Sequence, residues 1–320
     1  MDEVMVSICC LAYNHEKYIQ KALDGILKQK TNFSFEILLH DDASTDNTAE
    51  IIREYEEKYP DIIKPIYQTE NQYSKRVAIT HIYQYPRARG KYIAFCECDD
   101  FWTDENKLQK QVDFLEQNPE YVACVHKYIV VDEENVEQDI KTFGYYEEGG
   151  VYTFNDFFEK ELPSQLATLV MRNIVMDNEK GYPQALSDIN LAGDIKLNLW
   201  LLIHGNIYRM NDIMSAYRFV QKKGGNSYSS RMLFKTVNYK NWNELCKLEK
   251  LLLDEYGLEV YFKERRLSYA LGIIKDLNKR PSFKNFLNVI KIIFKQRGTI
   301  RKVLSETFHF MSRRYGKTCE

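Results

Sequence analysis

Two clusters of carboxylates hold most of the chemistry this sequence could perform. The first is Asp41-Asp42, followed by Ala43-Ser44-Thr45-Asp46, and the second is Glu97-Cys98-Asp99-Asp100. Neighbouring acids at a strand end repel one another unless a cation or hydrogen-bond donors reach them. For the first cluster a nucleoside can supply donors, from a uracil N–H or from ribose hydroxyls. An ordinary helix N-cap and turn is the competing account, because Ser, Thr and Asp are residues that cap helices. The second cluster calls for a hard divalent cation with oxygen ligands. Mg2+ or Mn2+, held by one or two carboxylates plus diphosphate oxygens, would suit a leaving nucleotide. Cys96 and Cys98 flank these acids, but one C-x-C without a second ligand pair reads as structural cysteine rather than a zinc site.

Other nucleotide-binding signatures are missing. There is no G-x-G-x-x-G after the first apolar run and no G-x-x-x-x-G-K-[ST] anywhere, so neither a dinucleotide dehydrogenase nor a P-loop NTPase is supported. The first run ends instead in Ala12-Tyr13-Asn14-His15-Glu16. Tyr13 could stack on a base, although one tyrosine among 23 more often packs.

These residues need elements to hold them, and the apolar pattern supplies strands and helices in alternation. Strands are expected at 4–11, 35–40, 62–67 and 91–96, with helices at 16–29, 44–58, 77–88 and 104–117 between and after them. Both acid clusters then fall at carboxyl ends of strands, where ligands bind in an open parallel sheet. A strand at 121–131 opens a less regular middle region with a strand at 166–171, a helix at 191–204 and a strand at 206–210. From about 230 onward the chain reads as helical, over 230–255, 259–278, 283–296 and 299–313. The fold class is therefore α/β, with a Rossmann-like, mainly parallel sheet over 1–225 and a helical, basic C-terminal extension over 226–320.

In that order, three segments resemble the family 2 glycosyltransferases of the GT-A fold, in particular the bacterial capsule and surface-polysaccharide members. They are Val-Ser-Ile-Cys-Cys-Leu-Ala-Tyr-Asn from Val6, Phe-Glu-Ile-Leu-Leu-His-Asp-Asp-Ala-Ser-Thr-Asp-Asn-Thr from Phe35, and Gly-Lys-Tyr-Ile-Ala-Phe-Cys-Glu-Cys-Asp-Asp-Phe-Trp from Gly90. The likeness covers roughly 4–130 and, more loosely, 160–228. It implies that Tyr13 and Asp42 hold the uracil base, with Asp41 beside them and the Leu11-Ala12 backbone lining the pocket. Glu97-Cys98-Asp99 stands at the family's D-x-D position, with Glu where Asp is usual. The resemblance assigns Glu97, Asp99 and Asp100 to the metal and Asp99 also to the nucleotide. Asp194, in Ala192-Gly193-Asp194-Ile195, matches the position of the catalytic base, which inversion requires to deprotonate the attacking hydroxyl. An N-cap aspartate is the alternative there. Lys75 and Arg218 are candidate diphosphate or acceptor contacts, Trp102 a sugar-stacking platform, and Thr168 and Arg172 acceptor contacts. His126, on an apolar strand, reads as a core histidine.

The expected activity is inverting, metal-dependent transfer of a hexosyl or N-acetylhexosaminyl group. The donor is a nucleotide-diphospho sugar, UDP-linked, and the acceptor a hydroxyl of a growing, lipid-linked surface polysaccharide. A rival of another class is a non-catalytic nucleotide-binding scaffold of a polysaccharide assembly complex, for which the unusual Glu97 is the best support. A sugar-nucleotide-forming transferase would need a Gly-rich, basic loop near the N-terminus, which is absent.

Composition sets the frame. At 320 residues, 44% hydrophobic and 28% charged, the chain can build a large α/β domain plus an appendage, which excludes a small stapled scaffold. The formal net charge of −2 hides an asymmetry: residues 279–317 contain eleven Lys or Arg against Glu306 alone. Such a segment suggests an anionic partner, either a membrane surface or nucleic acid. Without a helix-turn-helix, zinc-finger or aromatic RNA-binding signature, no nucleic-acid partner is expected. Seven cysteines without framework spacing fit a reducing, cytoplasmic compartment. The start shows no secretory signal and no apolar run is long enough to span a bilayer, so the expected location is cytoplasmic, at the inner face of the cell membrane.

Overall fold

The computed structural model describes residues 3–142, 144–159, 162–175, 182–220, 238–279 and 282–295. Short, partly β-branched apolar runs become the strands β1 (Val4–Ala12), β2 (Ser34–Asp41), β3 (Ile63–Tyr67), β4 (Tyr92–Phe95), β5 (Phe101–Trp102) and β6 (Tyr121–Val131). They are followed by β7 (Glu137–Gln138), β8 (Gly150–Tyr152), β9 (Val170–Arg172) and β10 (Asn206–Arg218). All belong to one sheet of order β3-β2-β1-β4-β9-β6-β10-β5, with β7 on β6 and β8 on β10. The longer registers, β1 with β2 and β4, β2 with β3, and β6 with β10, are parallel. Antiparallel pairing is confined to short stretches, chiefly around β9. This is the mixed, mainly parallel sheet that the alternating pattern predicts.

Around the sheet lie α1 (Ile19–Leu27), α2 (Thr48–Lys58), α3 (Lys107–Gln117), α4 (Phe154–Glu159), α5 (Gln184–Asp188) and α6 (Gly193–His204). In α1 the apolar residues recur at helical spacing, and Ile19, Ala22, Leu23 and Ile26 are buried. Ile19, Leu23 and Ile26 join Val6, Ile8, Ile37 and Leu39 of β1 and β2 in the main core. α1 also passes so close to β5 that a Cβ on Gly25 would lie 2.7 Å from the backbone oxygen of Trp102, so only glycine fits there.

Three expected elements differ in physically instructive ways. The segment 77–88 is not one α-helix. Pro86 cannot donate to a helical ladder, and the chain forms a π turn over Thr80–Gln84 and a 3-10 turn over Tyr85–Arg87. The strand expected at 166–171 begins later, because the Thr168 amide and hydroxyl both bond the Gln165 carbonyl and close a 3-10 turn over Leu166–Thr168. The strand expected at 206–210 runs on to Arg218, with register shifts against β6 on either side of Ile213. Those irregularities absorb the polar pair Asn211-Asp212, which breaks the apolar alternation.

The described residues divide into two compact units. The larger holds the sheet with α1 to α3 and nearly all of α6. The smaller holds α5 and three longer helices, α7 (Asn238–Tyr256), α8 (Lys263–Lys279) and α9 (Phe283–Lys295). Its core joins Trp242, Leu267, Ala270, Ile273, Ile274 and Val289. Gly257, at φ +66°, ends α7 with the Leu258 amide bonded back to the Leu252 carbonyl, a left-handed C-terminal cap. Residues 230–237 and the helix expected at 299–313 lie outside the described residues. Among the described residues no helix is long and apolar enough to cross a membrane.

Candidate active site

The order β3-β2-β1-β4 reverses direction next to β1, and both acid clusters sit at this reversal, beyond the carboxyl ends of β2 and β4. The end of β1 fixes them together. The Leu11 carbonyl accepts the Cys98 amide at 2.9 Å, and the next carbonyl, of Ala12, accepts the Asp42 amide at 2.9 Å. Tyr13 follows, 39% exposed. The loop after it is laced to the segment after Asp42. Ser44 Oγ accepts the Asn14 amide at 2.9 Å, Asn14 Oδ1 accepts the Thr45 amide at 2.7 Å, and Thr48 Oγ1 accepts the His15 amide at 2.8 Å. Asn14 and Ala43 both sit at positive φ, 57° and 61°. For Ala43, which has no polar side chain to compensate, this is strain held by the surrounding bonds.

The two acids of the first cluster are used differently. Asp42 accepts the Gln72 amide at 2.7 Å on one carboxylate oxygen and the Tyr73 amide at 3.0 Å on the other, which folds the loop 68–76 onto the strand ends. Asp41 is equally buried but its Oδ1 has no hydrogen-bond partner. Burial pushes its carboxyl above the usual range despite the Ser44 groups that favour the charged form. The unpaired, buried acceptor of the cluster is thus on Asp41, where the resemblance pointed first to Asp42. Lys75, expected to meet the nucleotide, instead forms an exposed ion pair with Glu70.

At the second cluster, Glu97 is affected by Asp99 and also by Asp194, which opens α6 far along the chain. Burial, then the negative charges of Asp99 and Asp194, push the Glu97 carboxyl from 4.5 up to about 8. A carboxyl raised in this way keeps its proton in the folded protein where the unfolded chain has lost it. Its contribution to stability is therefore greatest below about pH 4.5 and is lost as pH rises through about 8. In chelator, we expect the Tm of Glu97→Gln to gain on that of the unsubstituted protein as pH rises across this window. A constant difference would exclude Glu97 as the source.

Asp99 is partly exposed, and its Oδ2 lies 4.0 Å from His15 Nε2, which raises the His15 pKa against the effect of burial. Asp100 is 3% exposed and its Oδ1 accepts the Arg218 amide at 2.7 Å, so it braces the turn. Among the described residues no three His, Cys, Asp or Glu side chains gather as an all-protein metal cage would need. A magnesium- or manganese-type ion needs only one or two carboxylates and completes its shell with water and phosphate oxygens. Glu97 and Asp99, whose charges already disfavour one another, fit that smaller donor set.

Several expected contacts have other work. Trp102 is 4% exposed, its Nε1 donates to the Ala167 carbonyl at 3.0 Å, and Lys107 Nζ lies 4.0 Å from its ring centroid. It is a core residue rather than a sugar platform, and burial pushes the Lys107 ammonium down to about 7. Thr168 is fully buried, its hydroxyl given to Gln165, so it cannot reach an acceptor. Arg172 is a strut to the carbonyls of Tyr121 and Leu115. Arg218 is 5% exposed and donates to the carbonyls of Asp99, Asp132 and Glu133 and to Asn135 Oδ1, with its guanidinium 4.2 Å from the Tyr18 ring centroid. It clamps the carboxylate turn to the loop after β6 instead of meeting a diphosphate. His126 is buried, with Nδ1 against the Lys127 carbonyl. Nothing in the sequence pairs His15 with Asp99, because that contact depends on how the loop after β1 closes over the second cluster.

The family model for glycosyl transferase family 2 matches residues 7–174. An uncharacterized protein of Mycobacterium tuberculosis is 32% identical over 220 residues, 67% of this chain and 58% of that protein, so the match spans less than two thirds of that relative. The putative teichuronic acid biosynthesis glycosyltransferase TuaG of Bacillus subtilis is 28% identical over 251 residues, 77% of this chain and 89% of TuaG. Among solved structures, S. aureus TarS 1-349 in complex with UDP-GlcNAc superposes with a TM-score of 0.66 at 16% identity, covering 98% of this chain and 92% of that one. The likeness establishes a shared GT-A architecture.

Proposed function

Because the chain belongs to glycosyl transferase family 2, we propose that it is an inverting enzyme moving a sugar from a UDP-linked donor to a hydroxyl of a lipid-linked surface polysaccharide. The arrangement that supports this most is the pinning of both acid clusters to the end of β1, through the Leu11 and Ala12 carbonyls, with Asp194 near enough for its charge to act on Glu97. One acidic patch then offers a place for a metal–diphosphate and a base for the acceptor. The kind of donor and acceptor is supported by relatives: the Escherichia coli glucosyltransferase WfgD, 33% identical over 118 residues, is named for UDP-Glc and a GlcNAc-diphosphoundecaprenol acceptor.

In this reading Asp41 Oδ1 accepts an N–H of the donor's base and Tyr13 covers the base. Glu97 and Asp99 hold a divalent ion, which when bound offsets the charge gathering on the departing diphosphate. Asp194 accepts the proton of the attacking hydroxyl as its oxygen bonds to the anomeric carbon and the bond to the diphosphate breaks, its electron pair leaving with UDP. His15 and Arg218 keep the Asp99 turn in place.

Calorimetric titration of UDP with and without Mn2+, followed by a screen of nucleotide sugars for acceptor-dependent UDP release, tests the reading. UDP is expected to bind more tightly with Mn2+ in the unsubstituted protein, and Asp99→Asn is expected to lose that gain. Metal-independent UDP binding without turnover of any donor would point instead to a nucleotide-binding scaffold.

A further inference from the structure

The 3.6-residue repeat divides α9 into three stripes. Val289, 4% exposed, faces inward and joins the core of the helical unit. Phe283, Phe286 and Leu287 share a second stripe and are 77%, 46% and 37% exposed. Lys284 and Lys291, seven residues apart, lie on a third stripe beside it and are exposed. A helix secures its packing with one buried face. Two phenyl rings and a leucine together in water mark a surface that something covers.

Whatever covers this stripe must also accept positive charge, because α9 lies within the segment 279–317, where eleven Lys or Arg face one Glu. A nucleic acid would answer the lysines but leaves the contiguous apolar stripe unused. An anionic bilayer surface answers both, with phenyl and leucyl groups at the acyl boundary and lysines among the headgroups. We propose that α9 lies in the interface plane of a membrane containing anionic lipid and docks the protein there. This rests on the faces of α9 and is independent of the glycosyl-transfer reading.

Co-sedimentation of the full chain with phosphatidylcholine vesicles, with and without phosphatidylglycerol, tests the proposal. Binding is expected to the phosphatidylglycerol vesicles and to weaken with salt. Lys284→Ala combined with Lys291→Ala is expected to reduce partitioning roughly 30-fold, about 2 kcal/mol, given about 1 kcal/mol per lysine near such a surface. Phe283→Ser combined with Phe286→Ser removes the apolar half of the contact at exposed positions, and a thermal melt matching that of the unsubstituted protein will show that the fold is kept. The proposal is overturned if the unsubstituted protein stays in the supernatant, or if both double variants bind as it does. Duplex DNA binding lost with the lysines, or self-association lost with the phenylalanines, in the absence of vesicle binding would likewise overturn it.

Discussion

Asp194→Asn is expected to lower turnover by about 10²–10⁴-fold, the usual contribution of a positioned general base, while UDP affinity in the absence of metal stays unchanged. The substitution keeps the shape of the side chain and two of the residue's bonds. Asp194 Oδ1 accepts the Ile195 amide at 2.7 Å, and the Asp194 carbonyl accepts Asn198 Nδ2 at 2.9 Å. Asparagine retains these two acceptors and removes the negative charge and the basic lone pair. A second consequence follows, because Asp194 is one of the charges that hold the Glu97 carboxyl up. In the variant, Glu97 should ionise at lower pH, visible as a shift in the pH dependence of Tm in chelator. UDP release measured with donor and acceptor, beside calorimetry with UDP alone, separates the two effects. Turnover at the original rate would remove Asp194 from the role of base.

Arg218→Ala is expected to have the largest effect on stability, about 3–5 kcal/mol, from two or more buried acceptors left unsatisfied. The side chain is 5% exposed and its donors serve Asp99, Asp132, Glu133 and Asn135. Truncation leaves those acceptors without their partner, at about 1–3 kcal/mol for each that stays buried, and removes the cation from the face of Tyr18. Lysine should recover little, because one ammonium cannot span acceptors on both the carboxylate turn and the loop after β6. Denaturant unfolding measures the loss. Activity should fall as well, because the Asp99 peptide is held by this guanidinium. A variant within about 1 kcal/mol of the original would mean that the clamp contributes little.

The strand and helix order from β1 to β6 was legible in the sequence because apolar periodicity decides it. So was the placing of both acid clusters at strand ends, since Asp41 and Glu97 directly follow or close apolar runs. The roles of single polar side chains were much less legible. Trp102, Lys75, Thr168 and Arg218 are residue types that suit a sugar or a phosphate, and what assigns them elsewhere is distant in sequence: Ala167 and Lys107 at Trp102, Glu70 at Lys75, and the loop 132–135 at Arg218. Likewise nothing local distinguishes Asp41 from Asp42. The difference comes from a loop thirty residues downstream, whose amides occupy one carboxylate and leave the other open.

The paired carbonyls at the end of β1 make that strand a gauge. Because Leu11 holds the Cys98 amide on one side of β1 and Ala12 the Asp42 amide on the other, the offset of the two acid clusters along the strand direction is one residue of extended chain, about 3.3 Å. An insertion between Leu11 and Ala12 would shift one cluster against the other by a full register step, which side-chain adjustment cannot absorb. Engineering toward another donor would therefore leave this tip untouched.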